Sequence, residues 1–293
     1  MRIAITGASG LLGRALIDEA ADKHEIVAAF HSSEILDLRY LEQYPLDLAH
    51  EDSIRRFIET ARADLIIHSA AITDVDLCER EPKLAQIMNA EGTRRIVEAI
   101  RNTSTRIVYI STDYVFDGTA GPYAETDPTN PINVYGKTKL GGEVAVLSME
   151  ERGTIVRSAS FLGRGGPLRP TFVERMLETM RDQPPLQAAY DQRSNITPVD
   201  GLASGIIRIV ETGASGIWHI AHPQILSRHD LAVLIAERAG IDSSHIQRVS
   251  YDSLKRDAVR PLAGGLKTDK AARDLMLTFR PLQESIQMFL NQA

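Results

Sequence analysis

The absences in this sequence narrow the field before any motif is read. One cysteine, Cys78, stands in 293 residues, which excludes an internal disulfide and any cysteine-rich zinc site. It is expected to be a half-buried, unreactive thiol. No stretch reaches 18 apolar residues, so no segment reads as a membrane-spanning helix. The opening MRIAITGASG turns into glycines too early to read as a signal peptide, and the expected compartment is the cytoplasm. A surplus of positive charge is also missing, since 33 Lys and Arg stand against 39 Asp and Glu for a net charge of -6. Nucleic acid and anionic membranes need a basic surface that this composition does not supply. No internal repeat and no low-complexity tract interrupt the chain.

What is present is an ordinary globular composition, 43% hydrophobic and 25% charged, in a chain long enough to bury a large core. Strand-like runs alternate with helical periodicity. RIAIT (2–6), EIVAAF (25–30), ADLIIHSAA (63–71) and TRIVYIST (105–112) read as strands, and residues 11–22, 51–62 and 82–101 read as helices. That alternation predicts an α/β fold, a doubly wound parallel sheet covered on both faces. After about residue 158 the texture changes, with GRGGPLRP (163–170) and RDQPP (181–185). The expected division is a dinucleotide-binding domain over 1–157 and a smaller C-terminal substrate lobe over 158–293. The lobe is expected to interleave with late sheet elements such as residues 197–210.

Two patterns carry chemistry. In TGASGLLG, Gly7, Gly10 and Gly13 follow a strand and open a helix, where missing side chains let a pyrophosphate approach backbone N–H groups and the positive end of the helix dipole. The spacing departs from G-x-G-x-x-G, so the motif alone is weak. In YGKTK, Tyr135 and Lys139 are i and i+4, on one helix face with Cβ atoms roughly 6 Å apart. A neighbouring ammonium favours an ionised phenol, so Lys139 is expected to tune Tyr135. Thr112, at the C-terminal end of a predicted central strand, is expected to reach the same cleft. A carbonyl oxygen held between Thr112 and Tyr135 would be polarised and protonated while hydride arrives at carbon. After the second strand, AAFHSS offers no acid to a ribose 2′-OH, whereas His31, Ser32 and Ser33 suit a 2′-phosphate.

TGASGLLG, STDYVFDG, YAETDPTNPINVYGKTKLGGE and RPLAGGLKTDK together resemble the extended short-chain dehydrogenase/reductases, specifically the dTDP-4-dehydrorhamnose reductase group. The resemblance implies a Rossmann-like fold and NAD(P)H-dependent reduction of a 4-keto nucleotide sugar, with Thr112, Tyr135 and Lys139 in the catalytic positions. It places Gly10, Leu11, Leu12, Asp47, Leu48, Ala71, Ile72, Thr73 and Asn89 around NADP, and Thr112, Asp113, Ser160 and Arg260 toward the sugar nucleotide. A second copy of the chain is an expected partner.

The chain departs from that group twice. SASFLG puts Ser160 where the group carries an aromatic, and Arg260-Pro261 is followed by LAGG in place of x-N-S. Arg260 can still clamp a diphosphate with its paired donors. Because both departures fall on the substrate side, two other readings stay open. One is a reductase of another sugar or small carbonyl. The other is a noncatalytic NADP-binding subunit resembling the methionine adenosyltransferase β subunit. His219 and His222 lack a nearby carboxylate and are not expected to bind metal. Arg164 and Arg169 sit in a candidate lid, and Trp218 is expected in the core.

Overall fold

The computed structural model describes residues 1–31, 41–165, 170–182 and 185–292. In the first half, β1 (Arg2–Thr6), α1 (Leu11–Ala20), β2 (Glu25–Phe30), β3 (Glu42–Pro45), α2 (Glu51–Ala61) and β4 (Leu65–His68) alternate as the pattern predicts. There follow α3 (Val75–Arg80), α4 (Pro82–Ala85), a π-helical turn (Gln86–Glu91), α5 (Gly92–Ile100), β5 (Arg106–Thr112), α6 (Val134–Leu147) and β6 (Gly153–Ser158). The helix expected over 82–101 is thus broken in register by a wide turn, a feature that recurs at functional sites. β3 was not anticipated: its EQYP sequence has no apolar run and half-exposed residues, as befits an edge strand.

The second half holds β7 (Ser160–Leu162), α7 (Phe172–Asp182), β8 (Leu186–Ala189), β9 (Arg193–Pro198), α8 (Val199–Thr212) and β10 (Gly216–His219). It ends with β11 (Ile225–Ser227), α9 (Arg228–Ala239), β12 (Ile246–Val249), α10 (Asp269–Asp274) and α11 (Leu282–Asn291). Residues 199–210 contribute a helix to the main body, and it is β10 that enters the sheet.

Seven strands form one sheet in the order β10-β6-β5-β4-β1-β2-β3, and every pairing in it is parallel. Strands of such a sheet are buried on both faces, which is why all four residues of β4 are buried. One apolar layer joins the sheet to α1 and α8 through Leu16, Ile17, Leu202 and Ile206. The opposite layer joins it to α2, α5 and α6 through Phe57, Ile96 and Val146. A separate core gathers α7, α9 and α11 around Leu177, Ile235 and Ile286. Because β1 pairs with β2 on one side and β4 on the other, chain progression reverses at β1. The crevice beyond the carboxyl ends of β1 and β4 is where such sheets bind ligands.

Candidate active site

Gly7 follows β1 with φ +68°, in the left-handed region. A Cβ there would stand 2.9 Å from the Ala70 nitrogen, and one on Gly13 would stand 2.3 Å from the Gly7 oxygen. Glycine at these positions lets the turn close against both α1 and the segment after β4. Gly10 is the N-cap of α1, where no side chain caps the helix and no acid occupies the first turn. The amides of Leu11, Leu12 and Gly13 therefore form a helix terminus suited to an anion. The Leu12 side chain lies in the core, so this residue offers only its backbone.

On the adjoining edge His31 is exposed, its Nε2 3.9 Å from Asp47 Oδ1. Asp47 accepts from the Ala49 nitrogen at 2.9 Å and faces His50 Nδ1 at 3.1 Å. A carboxylate thus stands beside His31, brought there by the unanticipated β3. Leu48 is buried beneath α5. Ser32, Ser33 and Arg169 lie outside the described residues.

The segment after β4 is clasped by Asn89, which is buried in the π-helical turn. Asn89 Oδ1 accepts from the Ile72 nitrogen at 2.8 Å, while Nδ2 donates to the Ile72 oxygen at 3.0 Å and to Thr138 Oγ1 at 3.2 Å. Ala71 and Ile72 are half-buried and Thr73 is exposed beside this clasp. A hydrogen-bonded chain that sequence reasoning missed leads to the same turn. Thr93 Oγ1 donates to the Asn89 oxygen at 2.7 Å, so it accepts from His68 Nε2 at 3.1 Å. His68 Nδ1 then accepts from Thr6 Oγ1 at 2.7 Å, and Thr6 Oγ1 accepts from the Ala70 nitrogen. This assignment fixes the neutral tautomer of His68.

The two halves of the catalytic pattern meet beyond β5. Thr112 is the last residue of that strand, buried, and its Oγ1 accepts from the Tyr114 nitrogen at 3.2 Å. Asn133 caps α6 by accepting from the Gly136 nitrogen at 2.8 Å, which puts Tyr135 in the first turn and Lys139 one turn later. Burial pushes the Tyr135 phenol above its ordinary pKa, and the Thr112 hydroxyl facing it pulls the other way. The Lys139 ammonium, one helical turn on, stands over the Tyr109 ring, 4.1 Å from its centroid. Burial pushes Lys139 down to about 7, with Glu143 opposing. Glu143, the next turn of α6, is buried against Arg157, whose Nε and Nη2 donate to it at 2.9 and 2.7 Å, and Ser111 donates at 2.5 Å.

Toward the second lobe, Asp113 is buried, accepting from Thr112 Oγ1 at 3.2 Å and Ser194 Oγ at 2.7 Å. Burial raises its pKa. Ser160 accepts from Arg228 at 2.7 Å. Arg260 does not present the open fork expected of it. Its Nη1 and Nη2 donate to the two oxygens of Asp76 at 2.5 and 2.8 Å, and Arg260 holds that carboxyl down at about 2. Asp76 is 184 positions away, so sequence spacing could not reveal the pair. Arg164 donates to the Phe289 oxygen and lies over that ring. Trp218 is in the core, and Cys78 is fully rather than half buried, its thiol pushed up to about 11 by burial.

Burial also holds His68 and His219 neutral, each at about 3. Free imidazole titrates near 6.5, so between about pH 6.5 and 3 the unfolded chain binds more protons than the folded one. Stability is then full above about pH 6.5 and lost as pH falls through that window. Urea midpoints measured from pH 7 to 4 are expected to fall, by on the order of a few kcal/mol in unfolding free energy. A flat profile would contradict this.

The whole chain, residues 1–293, matches the family model described as the RmlD substrate binding domain. It is 35% identical over 289 residues to a dTDP-4-dehydrorhamnose reductase of Mycolicibacterium smegmatis, covering 98% of this chain and 84% of that one. Against the enzyme of the same name from Salmonella typhimurium it is 30% identical over 305 residues, covering 100% and 98%. The crystal structure of dTDP-4-dehydrorhamnose reductase from Bacillus anthracis in complex with NADP superposes with a TM-score of 0.87 at 27% identity, covering 100% of this chain and 99% of that one. With its full length matched and these relatives alongside, the chain belongs to the RmlD substrate binding domain family.

Proposed function

We propose that this protein reduces a 4-keto nucleotide sugar with NADPH, most specifically dTDP-4-dehydrorhamnose to dTDP-rhamnose. The observation that carries the reading is the meeting of Thr112 at the end of β5 with Tyr135 in the first turn of α6, in a sheet whose first strand, β1, leads into the uncapped N-terminus of α1. The glycine turn fits a dinucleotide pyrophosphate, since any Cβ at Gly7 or Gly13 would fill the space that lets its backbone close up. Bound NADPH supplies the hydride. Tyr135 gives its phenolic proton to the carbonyl oxygen, and Thr112, its hydroxyl turned from Asp113 to the substrate, donates a hydrogen bond to the same oxygen as negative charge develops on it. Asn89 holds the 71–73 segment in place, and Lys139 secures the ribose side of the cofactor. Arg260, engaged with Asp76, acts as a positioning group for the wall of the cleft. An NADPH oxidation assay against a panel of 4-keto nucleotide sugars tests the reading, and turnover of dTDP-4-dehydrorhamnose is the expected result.

Residues 1–157 supply the dinucleotide side in this reading and 158–293 the substrate side, with α8 and β10 returning to the main sheet. The exposed apolar side chains Leu84, Ile87, Val144 and Leu147, on helical segments that pack together, support a second copy of the chain as a partner. Sedimentation of the purified chain as a dimer is the expected outcome.

Cofactor choice follows from His31, exposed on the edge where a 2′-phosphate would lie, with Asp47 3.9 Å away and already accepting from Ala49. NADPH is expected to bind at least as tightly as NADH. A titration in which NADH binds clearly tighter would overturn that assignment.

A further inference from the structure

We propose that Arg228 orients the sugar ring of the substrate, its guanidinium donating to hexose hydroxyls next to the reacting carbon. The inference rests on the nucleotide-sugar reading above. Arg228 is the first residue of α9, directly after β11. In the small sheet β11-β9-β7, Ser227 lies opposite Arg193, Leu226 opposite Ser194, and Ser160 opposite Ile196. This register gathers Arg228, Ser194 and Ser160 at one place. Ser194 in turn donates to Asp113, the neighbour of Thr112. The sheet therefore aims a cation at the catalytic strand end.

The guanidinium is held without being used up. It lies over the Phe172 ring, 4.6 Å from the centroid, and Nη2 donates to Ser160 Oγ at 2.7 Å. Nη1 is buried and has no hydrogen-bond partner among the described residues. No ion pair forms on Arg228 among them either, although its charge lowers the pKa of both Asp113 and Tyr114. Buried polar groups in folded proteins are nearly always satisfied, so an orphaned N–H beside a catalytic strand end points to a ligand. Arg260, by contrast, spends both terminal nitrogens on Asp76.

Position selects the sugar over the diphosphate. Arg228 acts electrostatically on the Asp113 carboxyl, the neighbour of Thr112, and that pairing of donor with acceptor suits hydroxyls, which both give and take hydrogen bonds. A diphosphate there would meet the Asp113 carboxyl. Ser160 also gains a purpose: its short hydroxyl side chain fixes one nitrogen of the guanidinium.

The test compares wild type with Arg228→Met and Arg228→Lys in the full chain. Binding of NADPH and of thymidine diphosphate alone is expected to stay within about threefold, reporting an intact fold and nucleotide site. Arg228→Met is expected to lower kcat/KM for dTDP-4-dehydrorhamnose roughly 10- to 150-fold, the range for one charge-assisted hydrogen bond, with Lys recovering part of it. Unchanged kcat/KM would assign Arg228 to structure and overturn the proposal. Equal weakening of thymidine diphosphate would move the contact to the diphosphate and overturn it too. If wild type turns over no nucleotide sugar, the reductase reading fails, yet calorimetric titration still decides Arg228. A Met variant that weakens dTDP-rhamnose but not thymidine diphosphate supports the contact, and one that weakens neither refutes it.

Discussion

Tyr135→Phe is expected to lower kcat by roughly 10² to 10⁴, the usual worth of a positioned general acid, while NADPH binding stays nearly unchanged. The ring packs edge-on to Tyr114 with centroids 5.8 Å apart, a contact that Phe preserves, so the substitution isolates the hydroxyl. Lys139→Met should behave differently and weaken NADPH binding as well as the rate. In the wild type the Lys139 pKa of about 7 means that the ammonium is lost as pH rises through neutrality, so NADPH affinity should decline above about pH 7. The Met variant should show no such decline. A noncatalytic binding subunit would give no turnover on any sugar and no rate for Tyr135→Phe to reduce. An active wild type whose rate survives Tyr135→Phe would refute the chemistry proposed for this site.

Local chemistry made much of this site legible. The glycine turn, the strand ending at Thr112 and the helix carrying Tyr135 and Lys139 each depend on neighbours within a few residues, and one-dimensional periodicity reports such neighbours well. What escaped depends on contacts across the fold. Asp47 stands near His31 only because a polar edge strand with no apolar signature brings it there. Asp76 finds Arg260 across 184 positions. The i, i+4 spacing correctly put Lys139 on the face of Tyr135 but could not reveal that the ammonium turns to the ring of Tyr109, a residue of β5. His68, Thr6 and Thr93 looked like ordinary strand and helix residues, and their hydrogen-bonded chain exists only once β1, β4 and α5 are packed. Arg228 had no sequence signal, since a serine before a helix start and a charged first residue are common anywhere.

The third turn of α6 extends the argument from chemistry to stability. Arg157 and Glu143 are both buried, at 3% and 1% exposure, and removing one partner strands a charge in low dielectric. Arg157→Met is expected to destabilise the fold by about 3–5 kcal/mol, and Glu143→Leu by a similar amount. The double replacement Arg157→Met with Glu143→Leu should recover much of the loss, because no uncompensated charge remains. Thermal or urea unfolding of the three variants measures the coupling, and strictly additive losses would show that the two charges do not depend on each other. The rate should separate the single variants even where their stabilities agree. Glu143 supports the protonated form of Lys139, so its removal lets the ammonium titrate below neutrality, and kcat/KM at pH 7 should fall further in Glu143→Leu. In Arg157→Met the carboxylate stays in place one turn behind Lys139, and the NADPH affinity that falls above about pH 7 in the wild type should persist to higher pH. Equal pH profiles in the two variants would mean that Glu143 serves the fold alone.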